Sequence, residues 1–259
     1  MHFALLLKFT RQDLIDRHAA STLGATWTLV LPLVNILIFT LIFSNIMGAR
    51  LQLAGMEQLE QYGYSIYLIT GLLIWNCFAG IVGRTTQVFQ EKANLISKVK
   101  LPLFSLPLYI VLSETIIYAI SMLFFSAFLL LIGFEWSVYW LFLPVLLVLT
   151  QLLAYSIGMS CAILSVFLRD IKEVVGIIIQ IGFWMTPIVY TLSILPERWH
   201  MLFQLNPMYH IINAFRDALI YRQMPDLLPL ALIAFLATVL LLSALYVGRR
   251  LEKDIRDFI

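Results

Sequence analysis

Six apolar runs, nearly free of charge, divide this chain: residues 26–47, 65–83, 108–132, 138–166, 174–195 and 227–248. Each reaches the roughly 17 to 25 residues that a helix needs to cross the hydrocarbon core of a bilayer. Lipid offers the backbone no water to bond, so a spanning segment must satisfy its own amides, and a helix does so locally. The short alternating strands of a transmembrane barrel are not seen in the pattern. Composition agrees: with 61% hydrophobic and 12% charged residues over 259 positions, there is too little polar surface to cover a water-soluble globule. We therefore expect an all-α membrane protein with six transmembrane helices in a single domain, residues 1–259. The run from Val138 is the longest and, with Gly158 inside it, is expected to tilt or project beyond the bilayer.

The placement of Lys and Arg orients the spans. Lys8, Arg11, Arg17, Arg84, Lys92, Lys98, Lys100, Arg169, Lys172, Arg249, Arg250, Lys253 and Arg256 fall on one side, against Arg50, Arg198, Arg216 and Arg222 on the other. The positive-inside rule then puts both termini and the segment Arg84–Pro102 in the cytoplasm. A net charge of +2 gives nucleic-acid binding no support. The N-terminal "FALLL" is short for a signal peptide and is followed by "KFTRQDLIDRH". Phe3, Leu6, Leu7, Thr10 and Leu14 fall on one helical face with Lys8, Gln12 and Asp16 opposite, as in an interfacial amphipathic helix, although Leu5 and Phe9 interrupt the polar side.

Most covalent chemistry lacks its residues. Cys77 and Cys161 lie inside predicted spans without metal-ligand spacing, and His2, His18, His200 and His210 form no cluster. No phosphate loop, dinucleotide fingerprint or nucleophile elbow occurs, so neither a catalytic residue, a metal nor a cofactor is expected in this chain. Glu114 is the one ionisable group well inside a span. It is a functional candidate by default, or else a group near the interface or hydrogen-bonded to a neighbouring helix.

Two connections stand out. In "RTTQVFQEKANLISKVKLP", Phe89, Ala93 and Ile96 recur at helical spacing while Gln87, Glu91, Asn94 and Lys98 face elsewhere, which predicts an amphipathic cytoplasmic helix stopped by Pro102. It either lies on the membrane or docks a soluble partner that supplies energy. The last external connection, 196–226, contains "WHMLFQL", a break at Asn206-Pro207 and "MYHIINAFRDALIY". These pieces are too short to cross and read as short re-entrant or surface-lying helices.

The segment "EKANLISKVKLP" resembles the cytoplasmic coupling segment of the permease subunits of polysaccharide-exporting ABC transporters of the ABC-2 type. Further similar segments follow in order: "RHAASTLGATWTLVLP", "FSNIMGARL", "GLLIWNCF", "FLRDIKEVVGIIIQIGFWMTPIVY" and "LNPMYHIINAFRDAL", with His18 where Tyr is common and Ile74 where Pro is common. Within that family the chain is most similar to O-antigen exporter permeases, with capsule and teichoic-acid exporters as relatives.

The resemblance implies a homodimer bound to two copies of a cytoplasmic ABC ATPase, which holds the ATP and Mg, in the bacterial inner membrane. The cargo it implies is a polyprenyl-pyrophosphate-linked polysaccharide. Phe89, Glu91, Asn94, Leu95, Ile96 and Lys98 would then couple to the ATPase, joined by Arg169 and Asp170, a pair that also reads as a salt-bridged elbow. The loop with Leu23, Gly24 and Trp27, helped by Arg17, would hold the pyrophosphate, or is a plain helix-connecting turn. Tyr64, Tyr67, Gly71, Trp75 and Phe78 share a face. With Trp184 and Tyr190 they would stack on sugar rings along a channel, or form an interfacial belt and packing. Asn206 and Pro207 would belong to an outer gate. The rival readings are an ABC-2 exporter of another cargo such as a drug or lipid, an ion-coupled secondary transporter and an intramembrane transferase.

Overall fold

The computed structural model describes residues 3–17, 21–42, 60–98 and 102–258, and among them every regular element is helical. The chain begins with α1 (Phe3–Asp16), turns through a 3-10 segment at Gly24–Thr26, and enters α2 (Trp27–Thr40). Next come α3 (Glu60–Glu91) and the short α4 (Ala93–Lys98). Two long helices, α5 (Leu108–Leu131) and α6 (Phe142–Phe167), precede the shorter α7 (Ile171–Trp184). Then come α8 (Glu197–Gln204), α9 (Pro207–Arg216), α10 (Leu227–Arg250) and α11 (Glu252–Phe258). Four stretches are long and apolar enough to cross a membrane: 61–91, 103–131, 138–167 and 227–250.

The central helix is α3, packed by α2, α5, α6, α7 and α9. Its small residues let the neighbours come close, the usual way membrane helices gain dispersion contacts where lipid supplies no hydrophobic drive. A side chain at Gly80 would meet the Glu114 carboxyl at 2.8 Å, and one at Gly158 of α6 would meet Thr85 of α3 at 2.8 Å. Interhelical hydrogen bonds add to this contact: Ser165 Oγ donates to the Thr86 carbonyl at 2.7 Å, and Gln90 Nε2 to the Ser165 carbonyl at 2.6 Å. At α10, Gly248 lies under Phe104 and Ile163 with no room for a Cβ. The ends follow local chemistry. Gly133, at φ +77°, closes α5, while Asn206 and Asp226 cap α9 and α10 through Met208 N and Leu228 N.

Several boundaries differ from the expected spans. Residues 43–47 of the run 26–47 lie outside the described residues. The run 65–83 is only the middle of α3, which continues past Arg84 as one helix to Glu91, so the amphipathic segment is half span and half the short α4. The run 138–166 opens with a 3-10 turn at Val138–Leu141 before α6. The run 174–195 is not one helix: α7 is 14 residues long, and the chain leaves it at Met185, next to Thr186-Pro187. Proline has no amide hydrogen to continue the ladder and disfavours helix in the residue before it. The face of α1 that meets the protein is also rotated. Leu6, Phe9, Thr10 and Asp13 turn inward while Phe3 and Leu7 are exposed, because Asp13 has its partner on α3.

Candidate functional site

Three features are built on α3, one at each end and one between them. At the basic end, α3 turns at Lys92 into α4, whose backbone accepts an Arg256 hydrogen bond at Ile96 O from α11. Phe89 is fully buried and Ile96 nearly so. They are therefore core residues of this end and leave the partner-facing set that the sequence assigned them to. Glu91, Asn94 and Lys98 are exposed and Leu95 is half-buried, which gives a polar edge with one apolar residue in it. Arg169 and Asp170 lie exposed at the elbow between α6 and α7. They form no salt bridge with each other; the ion pair beside them is Lys172 with Glu173 at 3.7 Å.

Above that end sits a closed ring of four charges. Arg17 Nη2 lies 2.5 Å from Glu114 Oε1, and Arg84 Nη1 lies 3.1 Å from the same oxygen. Asp13 pairs with Arg84 and, at 3.4 Å, with Arg17 Nε. Two cations and two anions from α3, α5 and the α1 end neutralise one another, with the Glu114 side chain only 7% exposed. Glu114 is thus hydrogen-bonded to neighbouring elements, as one of the readings above expects, and Arg17 meets any incoming anion with two carboxylates already bound. Next to it, the connecting loop is held by Trp27 Nε1 donating to Ser21 Oγ at 2.8 Å, with Leu23 exposed. Gly24 has φ +50°, and although its missing side chain would have free space, that left-handed backbone strains any L residue.

From this ring a cavity of about 380 Å³ runs up between α2, α3 and α5. Its lining includes the polar or hydrogen-bonding side chains of Arg17, Asn35, Asn76, Cys77, Glu114, Tyr118 and Ser121, with Trp27 at the loop. The remainder is apolar.

At the opposite end the broken helix after Trp184 is held by side chains that take up its freed carbonyls. Tyr64 donates to Val189 O, and Tyr67 lies within reach of the Pro187 and Tyr190 carbonyls at 3.3 and 3.2 Å. Asn206 Nδ2 donates to Thr186 Oγ1 at 2.8 Å. Arg216 is 1% exposed. It donates to Pro187 O at 2.9 Å and Ile188 O at 3.1 Å, and stacks with its Cζ 3.4 Å from the Tyr67 ring centroid. Burial pulls its pKa down to about 10, which leaves it a cation at neutral pH. Gly71 makes room: a Cβ there would lie 3.0 Å from Arg216 Nη2.

The aromatic face of α3 therefore does not line an open passage here. Tyr67, Trp75 and Phe78 are buried, with Trp75 against Gly182 and Phe183 of α7. Trp184 is exposed, and Tyr190 donates to its carbonyl. Asn206-Pro207 forms the N-cap and first turn of α9. Sequence reasoning did not single out Asp13, Arg84, Asn35, Asn76 or Arg216. A polar residue within an apolar run was the available signal for the two asparagines.

Four helices long and apolar enough to cross a membrane, with charged and polar groups gathered at their ends and in one cavity, mark a multi-pass membrane protein. The chain belongs to the ABC-2 type transporter family, whose pattern matches residues 5–220, and it is a membrane permease subunit of that class. Such permeases pair with ABC ATPase subunits. The chain is 29% identical over 216 residues to an O-antigen export system permease protein, RfbA, of Klebsiella pneumoniae, covering 83% of this chain and 80% of that protein. It is 25% identical over 257 residues to the RfbA of Myxococcus xanthus, covering 96% and 93%. It is 22% identical over 194 residues to the inner membrane transport permease YadH of Escherichia coli (strain K12), covering 73% and 74%.

Proposed function

We propose that this chain is the membrane subunit of an ATP-driven exporter that moves a polyprenyl-pyrophosphate-linked polysaccharide of the O-antigen type across the bacterial inner membrane. It works as a homodimer with two copies of a cytoplasmic ATPase, which bind the ATP and Mg. The observation that carries the reading is the alignment with O-antigen export permeases of two organisms over four-fifths or more of this chain. The exposed edge Glu91, Asn94, Leu95 and Lys98 is the surface on which the ATPase acts, with Arg169 and Asp170 beside it. The turn at Gly24, with Leu23 and Trp27, is the site at which the lipid pyrophosphate is held, and that anion competes with Asp13 and Glu114 for Arg17. The short helices α8 and α9, joined at Asn206-Pro207, close the outer end.

In the native host, deleting this chain should leave lipid-linked glycan on the cytoplasmic leaflet and remove it from the cell surface, with the full transporter restoring both. Unchanged surface glycan, together with ATPase activity of the purified complex that responds to small amphipathic molecules, would move the assignment to a drug or lipid exporter.

A further inference from the structure

The cavity between α2, α3 and α5 has a lining out of keeping with its depth. Asn76 lies at the middle of α3 and Asn35 within the body of α2, both apolar helices, and both face the cavity. Neither carboxamide has a hydrogen-bond partner among the described residues. Several polar groups at such depths are bonded within the chain, Thr70 to Ile66 O, Thr86 to Val82 O and Gln151 to Thr115 Oγ1, while Thr85 Oγ1 and Ser113 Oγ are buried without a partner. Asn35 and Asn76 differ from all of these in being exposed to the cavity. A carboxamide offers two donors and an acceptor with two lone pairs. Facing hydrocarbon, it would leave them all unmet. The asparagines therefore face something that bonds them.

Its chemistry can be read from the walls. On α5, Ser121 stands two turns from Glu114 on the same face, so neutral polar groups rise from the charge ring. Above Arg17 and Glu114 the lining contains no charged group. A carboxamide both donates and accepts, as water and sugar hydroxyls do, and it favours no ion. The surrounding Leu31, Leu73 and Ile117 offer apolar contact suited to the C–H faces of a sugar ring. A volume of about 380 Å³ is within the roughly 300–1,000 Å³ of small-molecule sites. A lipid chain would fill the space and leave both amides unpaired.

We propose that this cavity is a hydrated section of the transport path that takes neutral, hydroxyl-bearing sugar units, with Asn35 and Asn76 as its hydrogen-bonding lining. The proposal rests on the polysaccharide reading above for the identity of the cargo. It moves the path from the aromatic face of α3 to the opposite one.

The test is thiol accessibility in the assembled transporter in native membranes, with Cys77→Ser and Cys161→Ser as background. Asn35→Cys and Asn76→Cys should react with a membrane-impermeant methanethiosulfonate at least about tenfold faster than Ile74→Cys, because a buried thiol in apolar surroundings is held un-ionised and inert. Ile74 is fully buried on the same helix. In membranes from cells that assemble the lipid-linked glycan, labelling of Asn76→Cys should slow by about fivefold relative to cells blocked before assembly, since a bound occupant covers most of such a lining. Labelling as slow as at Ile74→Cys would mean a dry cavity and overturn the proposal. Fast labelling unaffected by the glycan would also overturn it, leaving water alone as the occupant. Should Asn76→Cys fail to assemble with its ATPase, Ser121→Cys gives the same readout. Whether a glycan is exported at all is decided separately by the deletion experiment, so either failure is recognisable as its own.

Discussion

Glu114 shows how much one carboxylate can hold in a membrane protein. Its Oε1 takes hydrogen bonds from Arg17, 97 positions away, and Arg84, 30 positions away. Removing one partner of a buried ion pair typically costs about 3–5 kcal/mol, and without Glu114 both guanidinium groups are left to share the single carboxylate of Asp13. Glu114→Ala is thus expected to lower the unfolding temperature of the purified chain in mild detergent more than Gly80→Ala does. Gly80→Ala keeps the charges but drives a methyl to within 2.8 Å of the Glu114 carboxyl, an overpacking of about 1–3 kcal/mol. An unfolding temperature equal to wild type in Glu114→Ala would show that the ring bears no structural weight. Arg216 makes a second residue-scale point. Its flat guanidinium forks to two carbonyls while stacking on Tyr67, a combination that the compact ammonium of lysine cannot reproduce. Arg216→Lys should therefore raise protease cleavage within residues 185–206 nearly as far as Arg216→Ala does. Cleavage at the wild-type rate would mean that the tyrosines and Asn206 alone hold the broken segment.

Among the elements, the long helices were legible from apolar length alone: the expected 108–132 and 227–248 lie within two residues of α5 and α10. The end of α7 was not, because "FWMTPIVY" is as apolar as any span and only Pro187 marks the break. Its freed carbonyls find partners on α3 and α9, contacts made by tertiary structure rather than local sequence. The same reason rotates α1, whose hydrophobic pattern was a weaker guide than the ion pair of Asp13. It also moves the aromatic stripe of α3 from a candidate channel face to a packed one. The coupling segment divides likewise. Periodicity found its helix, but which of its residues face outward depended on α11 and the core beneath. Charge reversal at Glu91, with Asn94→Asp and Lys98→Glu, should abolish co-purification of the ATPase while leaving the unfolding temperature of the chain within a few degrees of wild type, as surface changes usually do. Phe89→Ala should do the opposite, since a buried Phe→Ala typically costs about 3–5 kcal/mol. A folded Glu91 and Lys98 reversal that still retains the ATPase would place the contact elsewhere.

At the scale of the whole molecule, the three features share one support. α3 has 32 residues and, at about 1.5 Å per residue, is about 48 Å long, well beyond the roughly 30 Å of hydrocarbon. It runs without a proline from the Tyr64–Tyr67 region, past Asn76 and Gly80, to the exposed edge at Glu91. From Glu91 to the segment that holds the broken helix at the far end α3 is one helix; Asn94, Leu95 and Lys98 of the exposed edge lie past the turn at Lys92, on α4. An unbroken helix acts as a rigid lever: a stroke delivered at one tip arrives at the other as tilt, undamped by bending in between. Timing in such a machine is set by its latches and not by its arm. The ring around Glu114 and the grip of Arg216 are two of the places where the lever is fastened, beside the Ser165 and Gln90 bonds to α6, and a stroke along α3 has to work against each of them.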